Sequence, residues 1–456
     1  MDGAMLNDGL DLTTRDAGSN AALPPFPRSS RAHKPLKVGV LVDLALTPDA
    51  GGHVKCWERI AEAAAEFPDQ LDLTVHFNSA ERSSAFRRIE LSPSVRYVLM
   101  PTVFSTKRLV RQVPDHTDLG LWHPALAGVL SDYDVIHTTD AFFCYARTAT
   151  RFARKSGVPV VSSIHTNTPE YARITVDNLL GRTLGDGVLY RLASRRLGLP
   201  VLVSRLLERR LYRHLDRVTL AMASYGDDKS GDWHCGVSLR RGLDHALFSP
   251  RHRDRIWLEA RFGVPADHFM VMYAGKLNSG KNVPLLGPAI KLARQISARA
   301  GSMPIHLFCA GKGDQRDALA SGLGEAVTLP GVLPQEELAR AYASADLFVF
   351  PSMIDESGNA AVEALASGLP ALLAAGSGVA ARMAGCAAVR VLPGDRPQSW
   401  AETIADLAAE PGRCGELGVM ARAFIEAEVP SWSQVVEEDL LPVWRQAAAA
   451  RWKNPG

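Results

Sequence analysis

The chain has 456 residues, 46% hydrophobic and 22% charged, a composition typical of a globular enzyme with two or three domains. Its 51 basic and 49 acidic residues give a formal net charge of +2, so net charge predicts no nucleic-acid partner. The sequence lacks an apolar run of transmembrane length, and its six scattered cysteines favour buried thiols in a reducing, cytoplasmic compartment over a disulfide scaffold or a zinc site.

The first half of the chain alternates strand and helix patterns. Residues 1–36 are polar, lack apolar periodicity and predict a mobile tail without a signal peptide. A strand-like run starts at Lys37, and a Gly-Gly loop and an amphipathic helix follow it. Strand patterns DVIHTTD and VPVVSSIH continue the alternation, with the helical FFCYARTATRFARKSG between them. Such alternation predicts a parallel sheet covered on both faces.

A second alternation begins near residue 268, after the polar, Pro-containing stretch 240–254. The sequence therefore predicts an α/β fold with two Rossmann-like domains that face a central cleft, with ligands at the carboxyl ends of the strands. The predicted units are a tail over 1–36, an N-terminal domain over 37–250, a C-terminal domain over 251–430 and a C-terminal segment over 431–456.

The most specific motif is PSMIDESGNAAVEALASGLP, in which a strand leads into an acidic loop and a helix. Asp355 and Glu363 are eight residues apart, about two helical turns, so both side chains can face one ligand. Ser357, Gly358 and Asn359 lie where the helix opens, and free N–H groups and the helix dipole there bind a diphosphate well. The carboxylates could then accept hydrogen bonds from sugar and ribose hydroxyls. Spacing alone leaves open the alternative of a loop acid plus a solvated helix residue.

A second motif, YAGKLNSGKN, places Lys276 and Lys281 in a loop before a helix. Two cations there would neutralise a diphosphate as a leaving group departs. Gly275, Gly280 and Lys281 also fit most of a P-loop, but Asn282 stands where a P-loop needs Ser or Thr for magnesium. An NTPase remains an alternative, and it predicts magnesium-dependent ATP hydrolysis.

Four further positions carry weaker signals. Gly311 lies in the turn AGKGD, and Val332 lies in LPGVLPQEEL, which is either a helix cap or a backbone contact to a nucleobase edge. Gly52 follows the first strand without a GxGxxG motif, which disfavours a dinucleotide dehydrogenase. His165 ends a strand pattern and is either a structural histidine or a cleft residue.

The stretch 182–217 is strongly basic, with nine Arg against three acids, a local charge of +6. Apolar residues interleave at helical spacing, as in LVSRLLERRLYRHL. A basic amphipathic helix can lie on anionic lipid. The alternative is a solvated helix face near the cleft.

Taken together, these motifs resemble those of the retaining glycosyltransferases of family 4, which have the GT-B fold. The resemblance covers roughly 37–445 and is densest over 237–370, where the motifs follow the family's order. The family's paired acids, with seven residues between them, match Asp355 and Glu363. HTNTPEY and the acidic Gly-Asn loop look most like the lipid-directed mannosyl and glycosyl transferases.

The resemblance implies a role for each motif residue. Lys276 and Lys281 would bind the donor diphosphate, Glu363 the ribose and Asp355 the transferred sugar. Gly52 would abut the phosphate from the other domain. The implied catalytic residues are Lys276, Lys281, Asp355 and His165, the last beside the reacting sugar, and the implied donor-binding residues are Gly52, Lys276, Lys281, Gly311, Val332, Ser357, Gly358, Asn359 and Glu363.

The implied reaction moves a hexose from a UDP- or GDP-hexose to a lipid or glycan acceptor with retention of configuration. No metal or other cofactor is implied, because the lysines and helix N–H groups do a cation's work on the leaving group. The implied location is cytoplasmic, peripheral on the inner face of the cell membrane through 182–217. The segment 431–446 resembles the helix that crosses back to the first domain.

This chain departs from the family at four positions. Asn167 replaces the Asp of the lipid-directed subgroup, Lys276 replaces the usual Arg, and Glu356 and Ser357 replace Thr-Phe. These departures leave the donor sugar and the acceptor open. They also keep two alternatives, an epimerase or phosphorylase-like enzyme acting on sugar nucleotides with the same fold, and a non-catalytic glycan- or nucleotide-binding protein.

Overall fold

The structure is a computed structural model that describes residues 34–47, 50, 52–79, 86–105, 117–165, 168–169, 172–173, 176–177, 180–181, 185, 187–223, 237–353 and 358–451. Residues 1–33 of the predicted tail lie outside these ranges, and the first strand begins at Leu36, one residue before its predicted start. Within the described ranges, no helix combines the length and the apolar character that crossing a bilayer requires.

The first half of the chain forms an eight-stranded sheet in the order β3-β4-β2-β1-β5-β6-β7-β8. In chain order, the strands are β1 (Leu36–Ala45), β2 (Leu71–Asn78), β3 (Arg87–Ser92), β4 (Val95–Met100), β5 (Val135–Thr138), β6 (Val160–Ile164), β7 (Leu220–Ala223) and β8 (Val237–Ser238). The strand order reverses between β1 and β5, and in open α/β sheets the crevice at such a point binds ligands.

One pair in this sheet corrects the prediction of purely parallel strands. β3 pairs with β4 in antiparallel register, with Ile89 opposite Tyr97. Only residues 93 and 94 separate the two strands, and so short a link permits a hairpin but no parallel crossover.

The second half forms a six-stranded, fully parallel sheet in the order β11-β10-β9-β12-β13-β14. Its strands are β9 (Phe269–Ala274), β10 (Ile305–Ala310), β11 (Val327–Gly331), β12 (Leu347–Phe350), β13 (Ala371–Ala374) and β14 (Val389–Leu392). Every residue of β9, β10, β12 and β13 is buried, because helices cover both faces. The order reverses between β9 and β12, which defines a second candidate crevice.

Helices connect the strands of both sheets. They are α1 (Gly52–Ala64), α2 (Pro124–Val129), α3 (Cys144–Ser156), α4 (Leu199–Leu215), α5 (Arg255–Phe262), α6 (Leu286–Ala300), α7 (Arg316–Leu323), α8 (Gln335–Ser344), α9 (Asn359–Ala366), α10 (Gly378–Arg382), α11 (Pro397–Ala409), α12 (Pro411–Glu428) and α13 (Leu441–Arg451).

Local sequence chemistry sets the ends of several helices. Gly157, at φ 70°, ends α3 and donates its N–H to Ala153. Asp254 starts α5, where its side chain accepts a hydrogen bond from the N–H of Trp257.

The C-terminal segment packs on the first sheet. A helical turn at Trp432–Gln434 and a π-helical turn at Val435–Leu440 lead into α13, whose Trp444 is buried in the first-sheet core. Arg240, in the segment connecting the two sheets, binds Asp439 with an Nε–Oδ1 distance of 3.0 Å. The segment that connects the two sheets and the C-terminal segment that returns to the first sheet therefore contact each other. The domain boundaries at 250 and 430 stay predictions.

The described cysteines are buried and free of disulfides, as the scattered spacing predicts. They are Cys56, Cys144, Cys309, Cys386 and Cys414. Cys235 lies outside the described ranges.

Candidate functional site

Two glycine loops pack against each other at the carboxyl edge of the second sheet. A Cβ at Gly311 would lie 1.9 Å from the carbonyl oxygen of Gly275, so Gly311 cannot be replaced by a larger residue at this contact. Gly311 also donates its N–H to the oxygen of Gly331 over 2.7 Å. This packing aligns the ends of β9, β10 and β11, so the predicted residues Lys276, Gly311 and Val332 lie along one edge. Val332 is 63% exposed, as a residue that meets a ligand from this edge would be.

The lysine loop is tied to the end of β12 by one asparagine. Asn282 adopts φ 55°, and its Nδ2 donates to the carbonyl oxygens of Pro351 (3.2 Å) and Gly394 (2.7 Å). Asn278 caps the turn before it, because its Oδ1 accepts the N–H of Lys281 over 2.9 Å. A P-loop has Ser or Thr at this position, whose hydroxyl binds magnesium. In this chain the Asn282 side chain is bonded to two backbone carbonyls instead, which argues against the NTPase alternative.

The N-terminus of α9 is built on a glycine with no room for a side chain. Gly358 has φ 54°, and a Cβ there would lie 2.3 Å from the Cβ of Val379. No described side chain caps α9, so the amide groups of Asn359 and Ala360 at its start can meet a ligand. The predicted site residues Asp355 and Ser357 lie outside the described residues, as does Glu356.

The N-termini of α1 and α9 face each other across a cleft between the two sheets. A Cβ on Gly52, the first residue of α1, would lie 3.6 Å from the Nδ2 of Asn359. The cavity volume of this cleft is about 70 Å³. Its lining is Gly52, Lys55, Cys56, Arg59, Arg241, Gly242, Leu243, Asp244, Phe248, Gln335, Asn359, Val362, Glu363, Arg382, Val429 and Trp432.

The structure thus brings together only part of the predicted site. Gly52, Asn359 and Glu363 line one cleft, although they come from opposite halves of the chain. The other described predictions do not line it; they are His165, Lys276, Lys281, Gly311, Val332 and Gly358. Lys276 nevertheless follows β9 and α9 follows β12, and these two strands are neighbours, so both belong to the crevice at the strand-order reversal.

Glu363 is a half-buried carboxylate on α9. The hydroxyl of Tyr342 donates to its Oε2 over 3.3 Å. Burial raises the pKa of Glu363 to about 7, against the opposing effects of the Tyr342 hydrogen bond and the Arg59 charge. A hydroxyl-rich ligand would replace the lost water around this carboxylate with hydrogen bonds.

Four basic side chains in the cleft were missed by the sequence reasoning. Lys55 and Arg59 on α1 pair with acids of the same helix. Arg241 and Arg382 have no carboxylate partner in the described part of the chain, and the Nη1 of Arg241 donates to the oxygen of Gly52 over 3.3 Å. Two such guanidinium groups beside two helix N-termini favour an anionic ligand. Their sequence signal is weak, since their positions share no motif spacing.

His165 follows β6 at the carboxyl edge of the first sheet. Its ring stacks on that of His53, with centroids 4.4 Å apart. Burial lowers the pKa of both rings, that of His53 to about 3, and the Arg241 charge lowers both further. Both imidazoles are therefore neutral at pH 7 and act as hydrogen-bonding groups, not as cations.

A buried acid at the end of β1 was also missed. Asp43 accepts hydrogen bonds from the Nδ2 of Asn78 (2.7 Å) and from the backbone N–H groups of Asp118 (3.0 Å) and Tyr145 (2.9 Å). Burial and the nearby Asp140 raise its pKa to about 8. The sequence signal was an acid inside the apolar run KVGVLVDLAL. Asp43 ties three chain segments together at the first strand-order reversal.

Comparison with known proteins agrees with this architecture. Residues 268–410 match the family described as "Glycosyl transferases group 1". The protein named D-inositol 3-phosphate glycosyltransferase 1 from Catenulispora acidiphila is 28% identical over 435 residues, covering 92% of this chain and 97% of that protein.

Two solved structures share the fold. Sucrose-phosphate synthase from Thermosynechococcus elongatus has a TM-score of 0.62 at 17% identity, covering 91% of this chain and 100% of that one. HepE from Anabaena, solved with UDP and glucose, has a TM-score of 0.57 at 15% identity, covering 92% and 99%. These likenesses confirm the predicted α/β, GT-B fold, and the family match covers the second sheet from β9 to β14 with α9. The chain therefore has the GT-B fold, and its residues 268–410 match the group 1 glycosyl transferases.

Proposed function

We propose that this glycosyltransferase moves a hexose from a UDP- or GDP-hexose to a phosphate-bearing hydroxyl acceptor, with retention of configuration and without a metal. The observation that carries the proposal is the basic cleft in which the N-termini of α1 and α9 face each other at Gly52 and Asn359. Two helix N-termini and the guanidinium groups of Arg241 and Arg382 suit phosphate groups on both substrates.

The donor would bind along the edge of the second sheet. Lys276 and Lys281 are proposed to hold the diphosphate, Glu363 the ribose hydroxyls and Asp355 the hexose. HepE, which shares the fold, was solved with UDP and glucose. In the proposed step, the bond between the hexose C1 and the phosphate oxygen breaks, the acceptor oxygen bonds to C1 on the same face, and the acceptor proton passes to the departing phosphate.

The acceptor would carry a phosphate group. The Catenulispora relative is named for D-inositol 3-phosphate, a phosphorylated polyol. Arg241 lies near His53 and His165 on the first-sheet side, where an acceptor would enter, and Arg382 lies across the cleft. Their charges would bind an acceptor phosphate. This phosphate would then not compete with the donor diphosphate for the two lysines.

The exposed surface of 188–217 supports the membrane association suggested by the sequence. Val188, Leu197 and Leu206 are 73%, 61% and 55% exposed. Exposed arginines flank them at positions 191, 196, 205, 209, 213 and 217. Apolar side chains beside a row of Arg match the chemistry of an anionic lipid surface, on which we propose this face lies.

The donor is tested by thermal shift with UDP-, GDP- and ADP-hexoses, followed by product analysis with phosphorylated and unphosphorylated polyols. A ligand that binds only the folded state raises its melting temperature. We expect one UDP- or GDP-hexose to stabilise the protein and the phosphorylated polyol to be the better acceptor.

Lys281→Ala should lower turnover by about two orders of magnitude, as loss of one charge-stabilising group does, while leaving the fold intact. Lys291→Ala, on the exposed face of α6, is the matched control and should retain full turnover. Near-normal turnover of Lys281→Ala would remove this lysine from the site. Sugar-nucleotide isomerisation without an acceptor would instead favour an epimerase.

A further inference from the structure

A chain of buried hydrogen bonds links the C-terminal helix to His165. The Nε1–H of Trp444 on α13 donates to the Nδ1 of His137 over 2.9 Å. The Nε2 of His137 lies 2.8 Å from the Oγ of Ser163, and the same Oγ lies 2.8 Å from the Nε2 of His165. Trp444, His137 and Ser163 are each fully buried. We name these four residues the histidine relay.

The first link fixes the proton on His137. An indole N–H can only donate, so the Nδ1 of His137 must accept and carries no proton. Burial lowers the pKa of His137 to about 3, so the ring is neutral at pH 7. Its single N–H is therefore on Nε2, and it donates to the Oγ of Ser163.

The second link determines which ring nitrogen of His165 carries the proton. Within the described chain, Ser163 Oγ has only the two histidine contacts, so its proton can go only to the Nε2 of His165. The opposite arrangement, with His165 donating from Nε2, would leave the buried hydroxyl proton without an acceptor. An unmet donor of this kind is costly inside a protein.

The consequence is an N–H on the other ring nitrogen of His165. Its Nδ1 is buried and has no hydrogen-bond partner in the described part of the chain. His53 stacks on the ring and Trp57 meets it edge-on, which holds its orientation. Within the described residues this fixed donor has no acceptor, and it lies at the carboxyl edge of the first sheet, where it is available to a substrate oxygen.

We propose that Trp444, His137 and Ser163 are positioning residues that hold His165 as the Nδ1–H tautomer, so that it donates a hydrogen bond to a hydroxyl of the substrate. The substrate contact rests on the proposed function. The tautomer does not, because it follows from the relay alone. The C-terminal helix therefore acts on the site through a defined polar contact as well as through packing.

The tautomer is tested by ¹⁵N NMR of histidine-labelled protein without substrate. We expect His165 to be protonated on Nδ1 and His137 on Nε2. Trp444→Phe should leave both His137 and His165 as mixtures of tautomers. Ser163→Ala should leave His165 as a mixture, while His137 stays protonated on Nε2 because the indole N–H of Trp444 still donates to its Nδ1. His165 protonated on Nε2 in the unaltered protein, or unchanged in both variants, would overturn the relay.

Two matched controls separate the relay from general loss of a buried polar group. Trp400 lies on α11 in the core of the second sheet, whereas the relay lies in the first sheet. Trp400→Phe removes its indole N–H, which donates to the carbonyl oxygen of Pro393 over 2.8 Å. Ser162→Ala removes the neighbouring hydroxyl on β6, which contacts His214 instead. Both should leave the His165 signals as they are in the unaltered protein.

The substrate contact is tested separately by kinetics. The amide nitrogen of Asn can take the place of Nδ1, whereas that of Gln reaches the place of Nε2. His165→Asn should therefore keep kcat within about tenfold, and His165→Gln should lose about 100-fold. Equal losses would overturn the Nδ1–H contact. If no variant or donor gives transfer while NMR finds the expected tautomers, the proposed function fails and the relay stands.

Discussion

At the scale of the residue, the cleft is marked by a carboxylate held away from water. Partial burial raises the pKa of Glu363 from 4.5 to about 7, so the folded protein binds this proton more tightly than the unfolded chain does. A raised carboxyl pKa stabilises the folded state below pH 4.5, and this stability is lost as the pH rises through 7. The ionised carboxylate is thus a cost to folding that a bound ribose would offset with hydrogen bonds.

Glu363→Gln should therefore stabilise the protein at pH 8 while weakening it as an enzyme. We expect the free energy of unfolding in urea to rise by about 1 kcal/mol at pH 8, a figure reduced for the partial exposure of the group, and the difference to vanish near pH 4.5. The KM for the donor should rise about tenfold. Glu416→Gln, an exposed acid on α12, is the control and should change neither quantity. Equal stability at both pH values would contradict the buried charge.

At the scale of the element, the position of α9 depends on one glycine. Gly358 meets two separate demands, a left-handed backbone at φ 54° and contact with Val379 that leaves no space for a Cβ. The helix it starts carries Asn359 and Glu363 into the cleft. A shift of this helix would therefore move both its first-turn amides and its carboxylate.

Gly358→Ala is expected to lower the free energy of unfolding by about 2–4 kcal/mol, since strain and overpacking add, and to abolish the donor-induced thermal shift. Gly198→Ala provides the matched control, because Gly198 has nearly the same backbone angles (φ 59°, ψ 34°, against φ 54°, ψ 36° at Gly358) but no described atom within 4 Å of the place a Cβ would take. It should cost only about 1 kcal/mol and leave donor binding intact. Equal effects in the two variants would show that packing against Val379 contributes nothing.

At the scale of the whole molecule, the first-sheet half exposes a face that is both apolar and basic. Leu202 and Leu206 lie one helical turn apart on α4 and are 50% and 55% exposed. The exposed Arg205 and Arg209 flank them. This face would bring the cleft close to a lipid surface that holds a phosphate-bearing acceptor.

Co-sedimentation with vesicles rich in phosphatidylglycerol should pellet most of the protein at low salt, and phosphatidylcholine vesicles or high salt should not. Replacing Leu202 and Leu206 by Ser should weaken binding severalfold without loss of donor binding. The control replaces Val419 and Met420, exposed apolar residues on α12, by Ser and should bind as the unaltered protein does. Binding that survives the Leu substitutions would exclude this face.

The sequence predicted site positions best where the marker is a motif of a few neighbouring residues. The spacing of acids pointed to Glu363, which lines the cleft, and the glycine and lysine motifs marked the strand ends that the structure aligns at Gly275 and Gly311. It missed Arg241 and Arg382, because no periodicity connects a chain crossing with the end of a short helix. It also missed β3, whose exposed, polar residues carry little of the alternation that marks a strand. The predicted roles of both lysines, Asp355 and His165 stay predictions.

The sequence by itself determined the alternation of strands and helices and the reversal-point loops, since periodicity and turn chemistry act over a few neighbouring residues. Only the tertiary structure decided that Gly52 meets Asn359 and that Trp444 reaches His137, 307 residues away in the chain. It also decided which groups lose water, and thereby the raised pKa of Glu363 and the neutrality of His53 and His165. Contacts and desolvation of this kind arise when distant segments pack, and no local pattern encodes them.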